Sequence, residues 1–226
     1  MGHLLYCEGI IGAGKSEYCK QIAKRLSLRL IKEPMEDNPY IDLFYQDPKR
    51  WAYEMQIYLL HRRIGLQQLA AAEALYSAEY RGAIIDRSLF GDANFEELHH
   101  EVGNISDLQH HAYLTAIRNM KLMIFQPTVL VFLDVEPKVA LERIRERARG
   151  CEVNIKIEYL EQLTRKYHSM IQGAKTGHYP FSHAVSVLYV PWNHNTRTDP
   201  EWDSAAASLQ RFLEETRAGL TPEWRL

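Results

Sequence analysis

Gly9-Ile10-Ile11-Gly12-Ala13-Gly14-Lys15-Ser16 fits the pattern G-x-x-x-x-G-K-[ST] in full, with a further glycine at Gly12. The context agrees with the pattern. His3–Glu8 reads as an apolar strand leading into the loop, and Lys15 to about Leu26 reads as a helix leading out. Glycines let such a loop fold around a phosphate with its N–H groups inward, and the following helix N-terminus adds positive potential. Gly9, Gly12, Ala13 and Gly14 are therefore expected to cradle a triphosphate. Lys15 would reach its β- and γ-phosphates, and the Ser16 hydroxyl would hold Mg²⁺.

Beyond this loop, short apolar runs alternate with long helical stretches. Further strands are expected at Leu28–Lys32, Gly82–Asp86, Thr128–Val135 and Ala184–Val190. Asp47-Pro48 has the form of an N-cap followed by proline at the first helical position, opening a helix from Lys49 to about Glu79. Helices are also expected near Phe90–His100, Ile105–Ile124, Glu136–Arg149 and Ile157–Ala174, with a last one after Asp199-Pro200. Continuous apolar strands separated by helices predict an α/β fold, a five-stranded parallel sheet covered on both faces. The 226 residues suit one such domain spanning 1–226, with no repeat or linker to divide it.

Composition narrows the partners. The net charge is −2, so no large positive field is available for a nucleic acid. The N-terminus lacks the pattern of a secretory signal, and no apolar run is long enough to span a bilayer. Three cysteines (Cys7, Cys19, Cys151) cannot all pair and lack metal-ligand spacing, which suits a reducing cytoplasm. A GTPase would carry Asn-Lys-x-Asp after a late strand. Here that region reads Pro191-Trp192-Asn193-His194-Asn195-Thr196. A compact domain with an arginine-rich helix points instead to a small-molecule kinase.

Candidate partners for the phosphate loop lie at the strand ends, where ligands of parallel sheets bind. Glu33 follows the second strand and could take a proton from an attacking hydroxyl; the plain alternative is a surface acid. Asp86 and Arg87 end the third strand. Asp86 could hold Mg²⁺ through water and Arg87 a reacting oxygen, or the two could form a buried ion pair. Residues 142–149 carry Arg143, Arg145, Arg147 and Arg149 on a helix. Such a run usually means a solvated face; beside a phosphate loop it reads as a lid, over about 143–155, that closes on the triphosphate. Gln56 and Arg63, seven apart, share one helix face, and glutamine can make two hydrogen bonds to a base edge. The pairs His99-His100 and His110-His111 lack i,i+4 metal spacing and are expected to be solvent-exposed.

These pieces, in this order, resemble the deoxyribonucleoside kinases, the family of deoxycytidine, deoxyguanosine and deoxyadenosine kinases, with bacterial and phage purine-type members most similar. The resemblance runs from about Tyr6 to Tyr167. It rests on Glu8 to Ser16, Glu33-Pro34, Asp42 to Trp51, Gln56, Asp86-Arg87-Ser88, and Glu142 to Arg149 followed by Glu152. It implies ATP- and Mg²⁺-dependent 5′-phosphorylation of a deoxyribonucleoside by a homodimer. Glu33 would be the general base, with Arg87 and Arg149 beside the 5′-hydroxyl. Tyr45 and Glu152 would hold the 3′-hydroxyl, Gln56 would read the base, Arg63 and Asp92 would line the base pocket, and Arg143 and Arg147 would lie over ATP. No role is assigned to Phe90 or Phe95. Two readings remain beside it: a nucleoside monophosphate kinase on the same fold, which needs extra basic groups for an acceptor phosphate, and a nucleotide-binding regulator without turnover.

Overall fold

The computed structural model describes residues 2–33, 35, 38–147, 152, 154–178, 184–194 and 201–219. Five strands, β1 (His3–Glu8), β2 (Arg29–Ile31), β3 (Gly82–Asp86), β4 (Val129–Asp134) and β5 (Ser186–Pro191), form one parallel sheet in the order β2-β3-β1-β4-β5. Each parallel pair needs a crossover, and the helices supply it. They are α1 (Lys15–Leu26), α2 (Ile41–Gln46), α3 (Pro48–Tyr76), α4 (Leu89–Glu101), α5 (Asp107–Met120), α6 (Pro137–Arg147), α7 (Ile157–Thr176) and α8 (Trp202–Arg217). Right-handed crossovers send α1 to one face, where it packs on α8, and α3, α4 and α7 to the other. The inner strands β1, β3 and β4 are apolar on both sides because both sides are covered, as the uninterrupted runs required.

Boundaries move by a few residues from the sequence expectation. Asp47 is the N-cap of α3, its carboxylate accepting from Arg50 N at 3.1 Å, and Pro48 opens the helix as read. The segment expected to be helical over 105–124 is α5 followed by a short 3-10 turn at Lys121–Met123. The start of the last helix at Asp199-Pro200 lies outside the described residues. One element was not anticipated. α2 is six residues long, too short to show periodicity. It is held by Phe44, which packs with Ala52, Met55, Leu59 and Ile105 in a small core separate from the main one.

The carboxyl ends of the strands set the site. β1 is central, and the chain leaves it toward α1; β3 is its neighbour, and the chain leaves it toward α4 on the opposite face. A crevice opens between the two departures, bounded by the phosphate loop, by Asp86 and Arg87, and by Glu33 just past β2.

Candidate active site

The phosphate loop has the backbone its glycines were expected to allow. Gly14, with φ 88°, is the left-handed N-cap of α1. Gly12, with φ 79°, lies so close to α6 that a Cβ there would meet the Ala140 carbonyl oxygen at 2.4 Å. Lys15 Nζ donates to the carbonyls of Gly9 (2.9 Å) and Ile10 (2.8 Å), which sets its ammonium in the mouth of the loop. Burial, with Arg87 acting in the same sense, lowers this ammonium to about 8 despite Glu33 and Asp86. Ser16 Oγ donates to Asp86 Oδ2 at 2.5 Å, so the hydroxyl and carboxylate form one unit beneath the loop. Asp86 Oδ1 is buried without a hydrogen-bond partner among the described residues. The alternative of an Asp86–Arg87 ion pair is not what forms.

Arg87 turns away because its backbone is left-handed (φ 66°), an uncommon state for a residue with a side chain. Its Nε donates to Glu33 Oε1 at 2.9 Å, its Nη1 donates to the Tyr167 hydroxyl, and its guanidinium lies 4.7 Å from the Phe95 ring centre. Behind it, Tyr167 donates to Glu8 Oε2 (3.3 Å), and Glu8 Oε1 accepts from Ser88 N (2.8 Å) and Ser88 Oγ (2.5 Å). This buried carboxylate at the end of β1 therefore holds both the cap of α4 and the support of Arg87. Burial pushes the Glu8 carboxyl up, while Arg87 and the Ser88 hydrogen bonds pull it down.

Glu33 receives a second cation. Arg63 Nη2 donates to the same Oε1 at 2.8 Å, Nη1 to the Arg87 carbonyl at 3.0 Å, and Nε to Asp92 Oδ2. Arg63, expected from the resemblance to line a base pocket with Asp92, is buried to 2 % exposure at the centre of this network. A buried guanidinium needs such partners, and two carboxylates with a carbonyl supply them. Burial raises the Glu33 carboxyl, but Arg87, Arg63 and Lys15 together hold it down to about 2. Glu33 is thus no stray surface acid.

A cavity of 310 Å³ connects this network to the phosphate loop. Lys15, Ser16, Glu33, Tyr45, Gln56, Arg63, Arg87, Asp92, Arg147 and Glu152 all line it, so residues scattered over 138 positions of sequence meet in one cleft. Gln56 is 1 % exposed, and its Oε1 has no hydrogen-bond partner among the described residues. Two of the arginines expected in a lid make contacts within the chain. Arg143 donates to the carbonyls of Ala13 (3.0 Å), Trp192 (2.7 Å) and His194 (2.6 Å), tying α6 to the phosphate loop and to the segment after β5. Arg147 Nε donates to Glu152 Oε2 at 2.8 Å. Arg143 is half-buried by these contacts, whereas Arg147 remains exposed while paired with Glu152. Arg149 lies outside the described residues, as does most of the expected lid beyond Arg147.

Sequence reasoning missed the apolar walls of the cleft: Met35, Ile41, Phe44, Met55, Leu59 and Tyr159, with Phe95 among them. It also misplaced His99. The residue is buried in the cleft wall, its ring 5.0 Å from that of Phe44, because α2 and α7 close over a face of α4 that the local sequence leaves unmarked. His100 and His110 stack at 4.0 Å, paired with Asp107 and Glu96, and are not freely solvated.

Comparison with known proteins agrees with this geometry. Residues 5–205 match the deoxynucleoside kinase family. The chain is 33% identical over 193 residues to a deoxyadenosine kinase of Dictyostelium discoideum, covering 85% of this chain and 73% of that one. It is 31% identical over 168 residues to the deoxyadenosine/deoxycytidine kinase of Bacillus subtilis, covering 73% and 75%. The structure of deoxyadenosine kinase from M. mycoides with dCMP and dCDP bound superposes with a TM-score of 0.74 at 28% identity, covering 92% of this chain and 98% of that one. The chain belongs to the deoxynucleoside kinase family and is an ATP-dependent phosphotransferase acting on a deoxynucleoside hydroxyl.

Proposed function

We propose that the chain transfers the γ-phosphoryl group of ATP to the 5′-hydroxyl of a purine deoxyribonucleoside, deoxyadenosine or deoxyguanosine, with deoxycytidine as a further substrate. The observation that carries this reading is the placement of Glu33, locked to two arginines, across one cleft from the phosphate loop. Both arginines bond to Oε1, so the other oxygen is the one offered to a hydroxyl. In the transfer, the 5′-oxygen forms a bond to the γ-phosphorus, the bridging bond to the β-phosphate breaks, and the hydroxyl proton passes to Glu33 as ADP leaves. Lys15 and Arg87 would stabilise the charge spreading over the transferring group. Tyr45 and Glu152 would hold the 3′-hydroxyl, and Gln56 with Asp92 and Arg63 would receive the base. Arg147, now on Glu152, stands where either the sugar or the triphosphate would draw it.

Mg²⁺ fits the Ser16–Asp86 unit, because the hydroxyl and the unpartnered Asp86 Oδ1 are the oxygen donors this ion prefers. When bound, it would neutralise phosphate charge. The purine preference rests on relatives that include deoxyadenosine and deoxyguanosine kinases. A homodimer and a cytoplasmic setting accompany the reading on family resemblance and cysteine usage; among the described residues, no helix is long and apolar enough to cross a membrane.

Glu33→Gln should keep the nucleoside KM within a few-fold and lower kcat by about a hundredfold or more, the size expected of a general base. Near-normal turnover would remove Glu33 as the base. Phosphoryl transfer from γ-labelled ATP, tested against the deoxyribonucleosides and their monophosphates, separates this reading from a monophosphate kinase. Glu33, Asp92 and Glu152 each already occupy an arginine, so little cationic character is left for an acceptor phosphate.

A further inference from the structure

α4 turns one stripe of residues toward the cleft. Asp92, Phe95 and His99, at i, i+3 and i+7, all line it. α3 does the same with Gln56, Leu59 and Arg63. The two helices run in opposite directions along each other. Arg63 bonds to Asp92 in the first turn of α4, while Met55 and Leu59, nearer the start of α3, pack with Ile105 just beyond the end of α4. Seven residues of helix span about 10.5 Å, so the steps from Arg63 back to Gln56 and from Asp92 on to His99 are equal. Gln56 and His99 therefore stand on facing walls at one level, about two turns above the Arg63–Asp92 pair.

The chemistry of His99 is unusual for a wall residue. It is 4 % exposed, and its ring meets Phe44 and Tyr159. Asn104 Nδ2 lies 3.2 Å from Nδ1, so Nδ1 accepts and the ring proton sits on Nε2. That Nε2 is buried and, among the described residues, has no hydrogen-bond partner. Burial also lowers the pKa of the ring to about 4, so it is a neutral donor at pH 7. An unpaired buried donor is costly, and an aliphatic side chain would fill the same apolar surroundings without it. Gln56 Oε1 is the matching unpartnered atom on the other wall.

We propose that His99 is a specificity-determining residue that donates from Nε2 to an acceptor on the edge of the nucleobase, reading it together with Gln56. The inference rests on the nucleoside-kinase reading above. A base that presents an acceptor toward α4 gains this bond; one that presents an amine or a C–H there does not.

The test is His99→Leu, with His99→Gln as the variant that keeps a donor. kcat and KM are measured for deoxyadenosine, deoxyguanosine and deoxycytidine, and melting is measured without nucleoside. Wild type is assayed first; if it phosphorylates none of the three, the nucleoside-kinase reading fails and not the role of His99. His99→Leu is expected to raise KM about tenfold for the preferred nucleoside with kcat little changed, to bring the three kcat/KM values closer together, and to leave the melting temperature unchanged or higher. His99→Gln should lie between wild type and His99→Leu. An equal loss for all three nucleosides, or a lower melting temperature with unchanged kcat/KM ratios, makes His99 a packing residue and overturns the proposal.

Discussion

Replacing Arg63 with methionine tests the buried network directly. Arg63 is the only cation that hydrogen-bonds Asp92 among the described residues, whereas Glu33 would keep Arg87 at 2.9 Å. The cost should therefore fall on Asp92. Its carboxyl is already raised by burial, against the pull of Arg63 and Arg87, and loss of Arg63 raises it further. Breaking a buried pair by removing one partner costs about 3–5 kcal/mol. For a chain of this size that corresponds to a melting temperature lower by roughly 6–20 °C. A group whose folded pKa lies above its unfolded value destabilises the folded state most at high pH and progressively less as pH falls toward the unfolded value. The deficit of Arg63→Met should thus shrink between pH 7 and pH 4. Adding Asp92→Leu removes the stranded charge and should restore most of the lost stability, without restoring activity on a nucleoside. Urea unfolding and calorimetry at several pH values would measure this. A single variant within about 1 kcal/mol of wild type, well below the cost of a broken buried pair, would refute the reasoning. So would a double variant as unstable as the single.

Two further outcomes follow from the same geometry. Tyr167→Phe deletes the hydroxyl that receives Arg87 Nη1 and donates to Glu8. Loss of a hydrogen bond to a charged group is worth about 1.5–3 kcal/mol, so kcat should fall about ten- to a hundredfold with the nucleoside KM within threefold; an unchanged kcat would show that Arg87 needs no support from behind. Lys15, held at about 8 by burial, should gain a proton when a triphosphate binds, so the KM for ATP should be flat below pH 8 and climb above it. Initial rates between pH 6.5 and 9.5 would show this, and a flat profile to 9.5 would contradict the assigned charge state.

The phosphate loop was legible because its constraints are local: Gly12 and Gly14 adopt backbone that few other residues take, in the span that also supplies Lys15 and Ser16. Glu33 was legible from its place after a strand, and Gln56 with Arg63 from a seven-residue spacing on one helix. What was not legible depends on contacts between elements far apart in sequence. α2 has no periodicity of its own and exists by docking Phe44 on α3 and Ile105. His99 looks like half of an ordinary histidine pair until α2 and α7 cover it. Arg87 was expected near the reacting hydroxyl beside Glu33, but what brings it there, a positive φ secured by Glu8 and Tyr167, 159 positions apart, was not visible in the sequence.

That turn bears on how the reaction works. Glutamate at its usual pKa is already ionised at neutral pH, so holding Glu33 near 2 adds nothing to ionisation in open solvent. The cleft is not open solvent. Burial alone drives this carboxyl upward, and a bound nucleoside would drive it further. Arg63 and Arg87 are what keep it charged when water is excluded. In the proposed role of Glu33, the same pairing would make it a weak base, which suits the chemistry: in a loose phosphoryl-transfer transition state the attacking hydroxyl becomes acidic only as its bond to phosphorus forms, so the proton leaves late. Orientation then matters more than basicity. Two guanidiniums on one oxygen fix the direction of the other, and the residues buried behind them set how firmly that direction is held.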